Sequence, residues 1–321
     1  MFHPDGKHLL SGGDDGIRRW RLSDGREVGK QTEMIVYAIS VSKDHKWVVC
    51  GTSLNGASVW DGEMCEKLIT VEGGKKVWAV DVSPDSTRFA TGSNKLEVSI
   101  WSITAGERLV GPLQHNNLVT GTKFSPNGKQ IATACLNGSI RIFDGRNGDE
   151  LITIDTTTPR LAATTPLAWS SDGQRIFAAS KDNKIRSFGV SAGAQLAELQ
   201  IPSGVYDVHS LALAPNCKFI ATFGDRAIWF LDASTLTRTG PVIEDSEEIR
   251  SIAISQDNTY LATGQFDGKI TVRNLSRSPP DFYRPLQVSI CASAYWTSPT
   301  STNRVGTTRG AILAIGGSRP N

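Results

Sequence analysis

Apolar and polar residues alternate from Val77 to Val82: Val77, Ala79 and Asp81 lie on one side, Trp78, Val80 and Val82 on the other. Period-two alternation of this length predicts a short β-strand, and the turn Ser83-Pro84-Asp85-Ser86 closes it. A second strand is predicted over 87–91 and, after a polar turn, a third over 97–101. The unit then recurs. Matching turns are His3-Pro4-Asp5-Gly6, Ser42-Lys43-Asp44-His45, Ser125-Pro126-Asn127-Gly128, Ser170-Ser171-Asp172-Gly173, Ala214-Pro215-Asn216-Cys217 and Ser255-Gln256-Asp257-Asn258. Their second residues fall at 4, 43, 84, 126, 171, 215 and 256, so the spacings are 39, 41, 42, 45, 44 and 41. A period near forty residues is what one four-stranded propeller blade occupies.

Other features return in step. An apolar strand precedes each turn, and a strand such as Phe89-Ala90-Thr91, Ile131-Ala132-Thr133, Ile220-Ala221-Thr222 or Leu261-Ala262-Thr263 follows it. Asp-Gly or Asn-Gly turns come next at Asp15-Gly16, Asn55-Gly56, Asn137-Gly138 and Asp267-Gly268; such dipeptides tolerate positive φ and close hairpins. With these residues the chain resembles the WD-repeat β-propeller family. The aromatic-Asp pair that ends a repeat in that family is literal at Trp60-Asp61 and approximate at Trp20-Arg21, Trp101-Ser102, Phe143-Asp144 and Phe188-Gly189. It is lost at Leu231-Asp232 and Arg273-Asn274. The family's Gly-His dipeptide is absent, and only His115 and His209 fall near its place. The family's Asp–His–Ser/Thr–Trp network is therefore expected to be incomplete in some blades. The resemblance implies an all-β, seven-bladed propeller of four-stranded antiparallel blades, a single domain over residues 1–296, with 297–321 as a C-terminal tail.

The first repeat starts where its innermost strand should already be ending. Residues 288–296 alternate like a first strand. The expectation is that 282–288 forms the outer strand of the last blade and 290–296 completes the first, closing the ring. The rival reading, a fragment of a longer protein, is compatible with it. The stretch 156–164 should be a projecting loop, which accounts for the 45-residue spacing.

Composition narrows the function more than it names one. The 34 basic and 32 acidic residues give a net charge of +2, which supplies no argument for a nucleic-acid or membrane surface. No apolar run approaches the ~20 residues of a membrane-spanning helix, and the first residues do not read as a signal peptide. The expected location is cytoplasmic or nuclear. Cys50, Cys65, Cys135, Cys217 and Cys291 show no CxxC or metal spacing and read as reduced thiols. No phosphate-binding glycine loop, HExxH, GxSxG or dinucleotide fingerprint occurs, so no cofactor, metal or catalytic residue is assigned. The five histidines share no local frame.

The resemblance implies that residues at the start of each innermost strand, and those before the next Asp/Asn turn, ring one mouth of the channel. At the first position repeats two to seven present Tyr37, Trp78, Thr120, Thr165, His209 and Arg250; at the second all seven give Asp14, Leu54, Asn94, Leu136, Lys181, Gly224 and Phe266. Tyr, Trp and Arg dominate interface hot spots because each joins a large buried area to a polar handle. The expected partner-binding set is Tyr37, Trp78, His209, Arg250, Phe266 and Lys181, with aromatic packing between blades the competing reading for Tyr37 and Trp78. Trp20, Trp60 and Trp101 read as structural, and Trp169 as packed between blades. The expected function is a non-enzymatic scaffold, a monomer or subunit of a larger complex, or the sensor region of a multidomain protein. It would dock a protein or peptide over the channel mouth. The alternatives are a propeller enzyme with a hydrolase-type site in the channel, and nucleic-acid binding through Arg18, Arg19, Lys75, Lys76 and Arg250.

Overall fold

The computed structural model describes residues 1–29, 35–54, 56–63, 66–72, 74, 76–155, 167–180, 182–202 and 210–276. Every element among them is a strand. A hairpin of β1 (His8–Gly13) and β2 (Gly16–Arg21) opens the chain. The next sheet joins β3 (Val36–Val41), β4 (Trp47–Thr52), β5 (Ala57–Asp61) and β6 (Lys67–Val71), and the following one β7 (Val77–Val82), β8 (Arg88–Ser93), β9 (Glu97–Ser102) and β10 (Arg108–Gln114). Then come β11 (Val119–Phe124), β12 (Gln130–Cys135), β13 (Ser139–Asp144) and β14 (Glu150–Asp155), and β15 (Ala168–Trp169), β16 (Arg175–Ser180), β17 (Lys184–Gly189) and β18 (Gln195–Gln200). The last two sheets are β19 (Ser210–Leu213), β20 (Phe219–Gly224), β21 (Ala227–Asp232), β22 (Arg238–Glu244), and β23 (Ile249–Ile254), β24 (Tyr260–Gln265), β25 (Ile270–Asn274). Each is an antiparallel meander in chain order, as propeller blades are.

The expectation of seven four-stranded blades is met only in part among the described residues. Six sheets carry three or four strands, and β1–β2 is only a two-stranded ribbon. On its inner side a single bridge joins Phe2 to Leu9, and on its outer side one joins Trp20 to Glu27, too little pairing for a full blade. The segments expected to close the ring (282–288 and 290–296), the 156–164 loop and the 297–321 tail lie outside the described residues.

The repeated turn has one geometry in all seven places. The fourth residue (Gly6, His45, Ser86, Gly128, Gly173, Cys217, Asn258) sits in the left-handed region, with φ between 55° and 70°. Its N–H donates to the carbonyl of the first residue over 2.7–3.1 Å. The third residue's carboxylate or amide oxygen accepts the N–H two positions on, from Asp5 to Asp257. In five turns the leading serine hydroxyl also accepts the N–H that starts the following strand, as from Trp47 to Ser42 over 2.9 Å and from Tyr260 to Ser255 over 2.8 Å. Asp, Asn and Ser are selected here because short polar side chains can satisfy turn amides that no ladder reaches.

Packing is between sheets. Val49 and Val59 of one sheet meet Val77, Phe89 and Trp101 of the next, and Ala132 and Ile142 meet Trp169 and Ile176. The hairpin packs on both sides: Leu10 and Ile17 against Val36 and Val48, Phe2, Leu9 and Trp20 against Ala262, Ile270 and Val272. Gly51 on β4 is required by this closeness, since a Cβ there would lie 2.6 Å from the Val77 carbonyl oxygen. A polar strap crosses the inner strands. Asp81, 4% exposed, accepts from the Lys123 ammonium at 2.6 Å and the Phe124 N–H at 2.9 Å, while Ser40 lies 3.5 Å away and takes the Val82 N–H at 3.1 Å. Trp169 continues it by donating to the Lys123 carbonyl at 3.0 Å.

The network behind the end-of-repeat aromatic survives in pieces. Trp20 donates to Ser11 at 2.8 Å and Trp101 to Thr91 at 2.9 Å, while His115 reaches Thr133 at 2.9 Å beside Phe143. Where the aromatic is lost, at Arg273, its place is taken by a buried ion pair. The guanidinium meets Asp245 and donates to Thr263 at 3.0 Å, and Thr263 donates to Asp245 at 2.8 Å. Both charged side chains are under one-tenth exposed. Removing one partner strands the other, so Asp245→Ala is expected to destabilise the fold by about 3–5 kcal/mol in urea unfolding, with Asp245→Ala, Arg273→Leu recovering part of the loss. A loss under ~1 kcal/mol for the single variant would show that the pair is solvated.

Candidate partner-binding surface

The innermost strands finish at the repeated turn and contribute to the wall of a cavity of 890 Å³. The second residues of all seven turns, Pro4, Lys43, Pro84, Pro126, Ser171, Pro215 and Gln256, line the cavity. Tyr37 and Arg250, at the starts of β3 and β23, line it at the other end.

Four of the six expected binding residues are described, and they form two pairs. The Tyr37 and Trp78 rings stack at 4.3 Å with planes 26° apart. The Lys76 ammonium lies 5.9 Å from the Trp78 ring, and the buried indole N–H has no acceptor among the described residues. Burial pushes the Tyr37 phenol up, and the charge of Asp14 adds to this. Arg250 lies over the Phe266 ring at 4.9 Å and pairs with Glu248 at 3.1 Å; Phe266 is 43% exposed. The two readings for Tyr37 and Trp78 are not exclusive, because both rings pack on each other across two sheets and both keep a half-exposed edge. His209, Lys181 and Thr165 lie outside the described residues. Of the other positions on this face, Leu54 is 77% exposed, and the Asn94 side chain accepts the Lys76 N–H at 3.1 Å.

The chemistry around Arg250 is specific. Burial raises the pKa of the Glu248 carboxyl, Asp225 raises it further, and Arg250 opposes both. Trp169 is buried against β13 and β16, and Trp20 and Trp101 are buried as structural residues. The basic groups considered for nucleic acid are mostly neutralised: Arg18 by Asp15 and Glu27, Arg19 by Asp5 and Glu63, Arg250 by Glu248. Lys75 lies outside the described residues. Cys50 and Cys135 are buried free thiols, each pushed up by burial, while Cys217 is partly exposed. Among the described residues no group of three His, Cys, Asp or Glu is placed to hold a metal, and no helix is long and apolar enough to cross a membrane.

One cluster escaped the linear reading. Three of the five histidines share a frame after all, at the seam between the hairpin and the β3–β6 sheet. Asp5 Oδ2 lies 3.1 Å from His3 Nδ1 and 2.6 Å from His8 Nδ1, Arg19 approaches both Asp5 and His8, and the His45 ring is 5.6 Å from that of His3. The only available signal was that His3 and His45 hold the first and last places of two successive turns. Burial lowers the His3 pKa, with Arg19 and His45 adding to it against Asp5. Burial works the other way on Asp5, yet hydrogen bonds from His8 and the Lys7 amide hold its carboxyl well below the usual range.

Two outcomes follow. In Arg250→Ala the Glu248 carboxyl loses its one favourable charge and should titrate at higher pH, read by carboxyl-carbon NMR; an unchanged or lower midpoint would mean the pair does not persist in solution. The unfolded chain binds a proton at His3 near pH 6.5 that the folded chain resists. Stability should therefore fall as pH drops below 6.5, by at most about 1.4 kcal/mol per pH unit, and His3→Gln should remove that slope; equal slopes would assign it elsewhere.

The WD40 family description (WD domain, G-beta repeat) matches residues 1–21, 65–102, 108–144, 167–188 and 235–274. The chain is 29% identical over 160 residues to eukaryotic translation initiation factor 3 subunit I of Scheffersomyces stipitis, covering 46% of this chain and 45% of that protein. It is 25% identical to periodic tryptophan protein 2 of Arabidopsis thaliana over 70% of this chain and 25% of that protein. It is 34% identical to small ribosomal subunit protein RACK1 of Drosophila melanogaster over 36% of this chain and 37% of that protein. The matched part is thus half or less of each of these three relatives. Repeat period, turn geometry and meandering sheets agree with the family match, and the chain belongs to the WD-repeat β-propeller family.

Proposed function

We propose that the chain forms a closed seven-bladed ring and serves as a non-enzymatic scaffold that docks a protein segment over the channel mouth framed by Tyr37, Trp78, Arg250 and Phe266. The observation that carries this reading is the pairing at that mouth: a stacked Tyr37–Trp78 couple with half-buried rings, and an Arg250–Phe266 couple with an exposed ring. Aromatic and guanidinium groups of this kind offer a large contact area, and their loss is costly at interfaces. Ring closure is supported by the hairpin's apolar contacts with sheets on both sides. Relatives named as a subunit of an initiation factor and as a protein of the small ribosomal subunit favour a component of a larger assembly. His209 and Lys181 belong to the same proposed surface by repeat register.

The test is affinity capture from native lysate with the parent chain and a Trp78→Ala, Arg250→Ala variant whose far-UV circular dichroism is unchanged. The expected outcome is a partner retained by the parent and lost by the variant. Identical capture by both would place the interface elsewhere on the ring.

A further inference from the structure

Resting on that reading, we infer that the blade 2–3 sector of the mouth takes a partner segment carrying an aliphatic or aromatic side chain next to a carboxylate. The apolar half of the site is continuous. Ile35 and Leu54, 38% and 77% exposed, are brought together at one end of the β3–β4 pair, where the Ser53 N–H donates to the Ile35 carbonyl at 3.2 Å. Tyr37 follows Ile35 by two residues and stacks on Trp78, so the exposed aliphatic pair adjoins the half-exposed aromatic pair. A side chain seated here removes apolar surface that nothing among the described residues covers.

The charged half fixes the chemistry of the occupant. Lys76 is exposed, its ammonium rests against Trp78, and among the described residues no carboxylate pairs with it. Its backbone is pinned to blade 3, since its N–H donates to Asn94 Oδ1 at 3.1 Å and its carbonyl accepts the Asn94 N–H at 3.0 Å. The cation is thus held at the edge of the apolar patch, where Coulomb attraction selects an anionic neighbour and disfavours a basic one. Asp14, in the turn of the β1–β2 hairpin, lies close enough for its charge to act on Tyr37. A bound segment therefore directs its carboxylate toward blade 3 and away from the hairpin.

The experiment is selection of displayed random dodecapeptides on the folded chain, repeated on Lys76→Glu and Leu54→Asp. Both substitutions are at exposed side chains and leave the core intact. The expected peptides place Leu, Ile, Met or Phe within two positions of Asp or Glu. Lys76→Glu should invert the charge preference toward Lys or Arg, and Leu54→Asp should weaken the selected peptides by about tenfold or more. Peptides that bind the parent and Lys76→Glu equally would overturn the inference. If they are nevertheless lost in Arg250→Ala, the docking mouth stands with a different occupant. If they depend on no mouth residue, the scaffold reading falls with it.

Discussion

Each repeat depends on one short hydrogen bond, from the amide of the fourth turn residue to the carbonyl of the first. That bond requires a left-handed φ at the fourth position, which Gly adopts freely and His45, Ser86, Cys217 and Asn258 adopt at some cost. The side chains of the third residue, and in five cases the leading serine, offset that cost by satisfying the turn amides. Because the turn fixes where the inner strand stops, it also fixes which residue meets the cavity. The seven second residues reach the cavity wall for this reason. The opposite end of these strands carries Tyr37, Trp78 and Arg250, of which Tyr37 and Arg250 line the same cavity.

The sheets have little to bury alone and stabilise one another through their faces. The seam between β3–β6 and β7–β10 is filled by Val49, Val59, Val77, Phe89 and Trp101, and its tightness explains a glycine at Gly51. Non-directional apolar packing tolerates drift in the polar network behind the end-of-repeat aromatic. Trp101 with Thr91, His115 with Thr133, and Arg273 with Asp245 and Thr263 are three chemical solutions at comparable places. What must be kept is a filled volume and satisfied hydrogen bonds, not a residue type.

The fold was legible in the sequence because its signals are local. Turn chemistry and strand alternation are written within a dozen residues, and a repeat multiplies them until they are unmistakable. Among the described residues the first unit falls short of a blade because β1–β2 has only one bridge on each side, a matter of pairing that no alternation pattern states. At the candidate site, register placed Tyr37, Trp78, Arg250 and Phe266 on one face, yet said nothing of the pairs they make. Tyr37 meets Trp78 across 41 positions, and His3 meets His45 across 42. Arg273 looked like a lost motif residue because its partner Asp245 lies 28 positions away. Contacts of that range are set by how sheets face each other, which is a property of the assembled sheets.

The Asp81 strap has a mechanical side. It ties the inner strands of three consecutive sheets with charged and hydrogen-bonded groups, and Trp169 adds a fourth. The corresponding places further round are Ala168, Ala212 and Ala253, which carry no side-chain polar group. Polar ties at this position are therefore gathered beneath the stacked Tyr37–Trp78 pair. At the same position on the strand that carries Arg250, beside Phe266, the chain offers only the methyl group of Ala253.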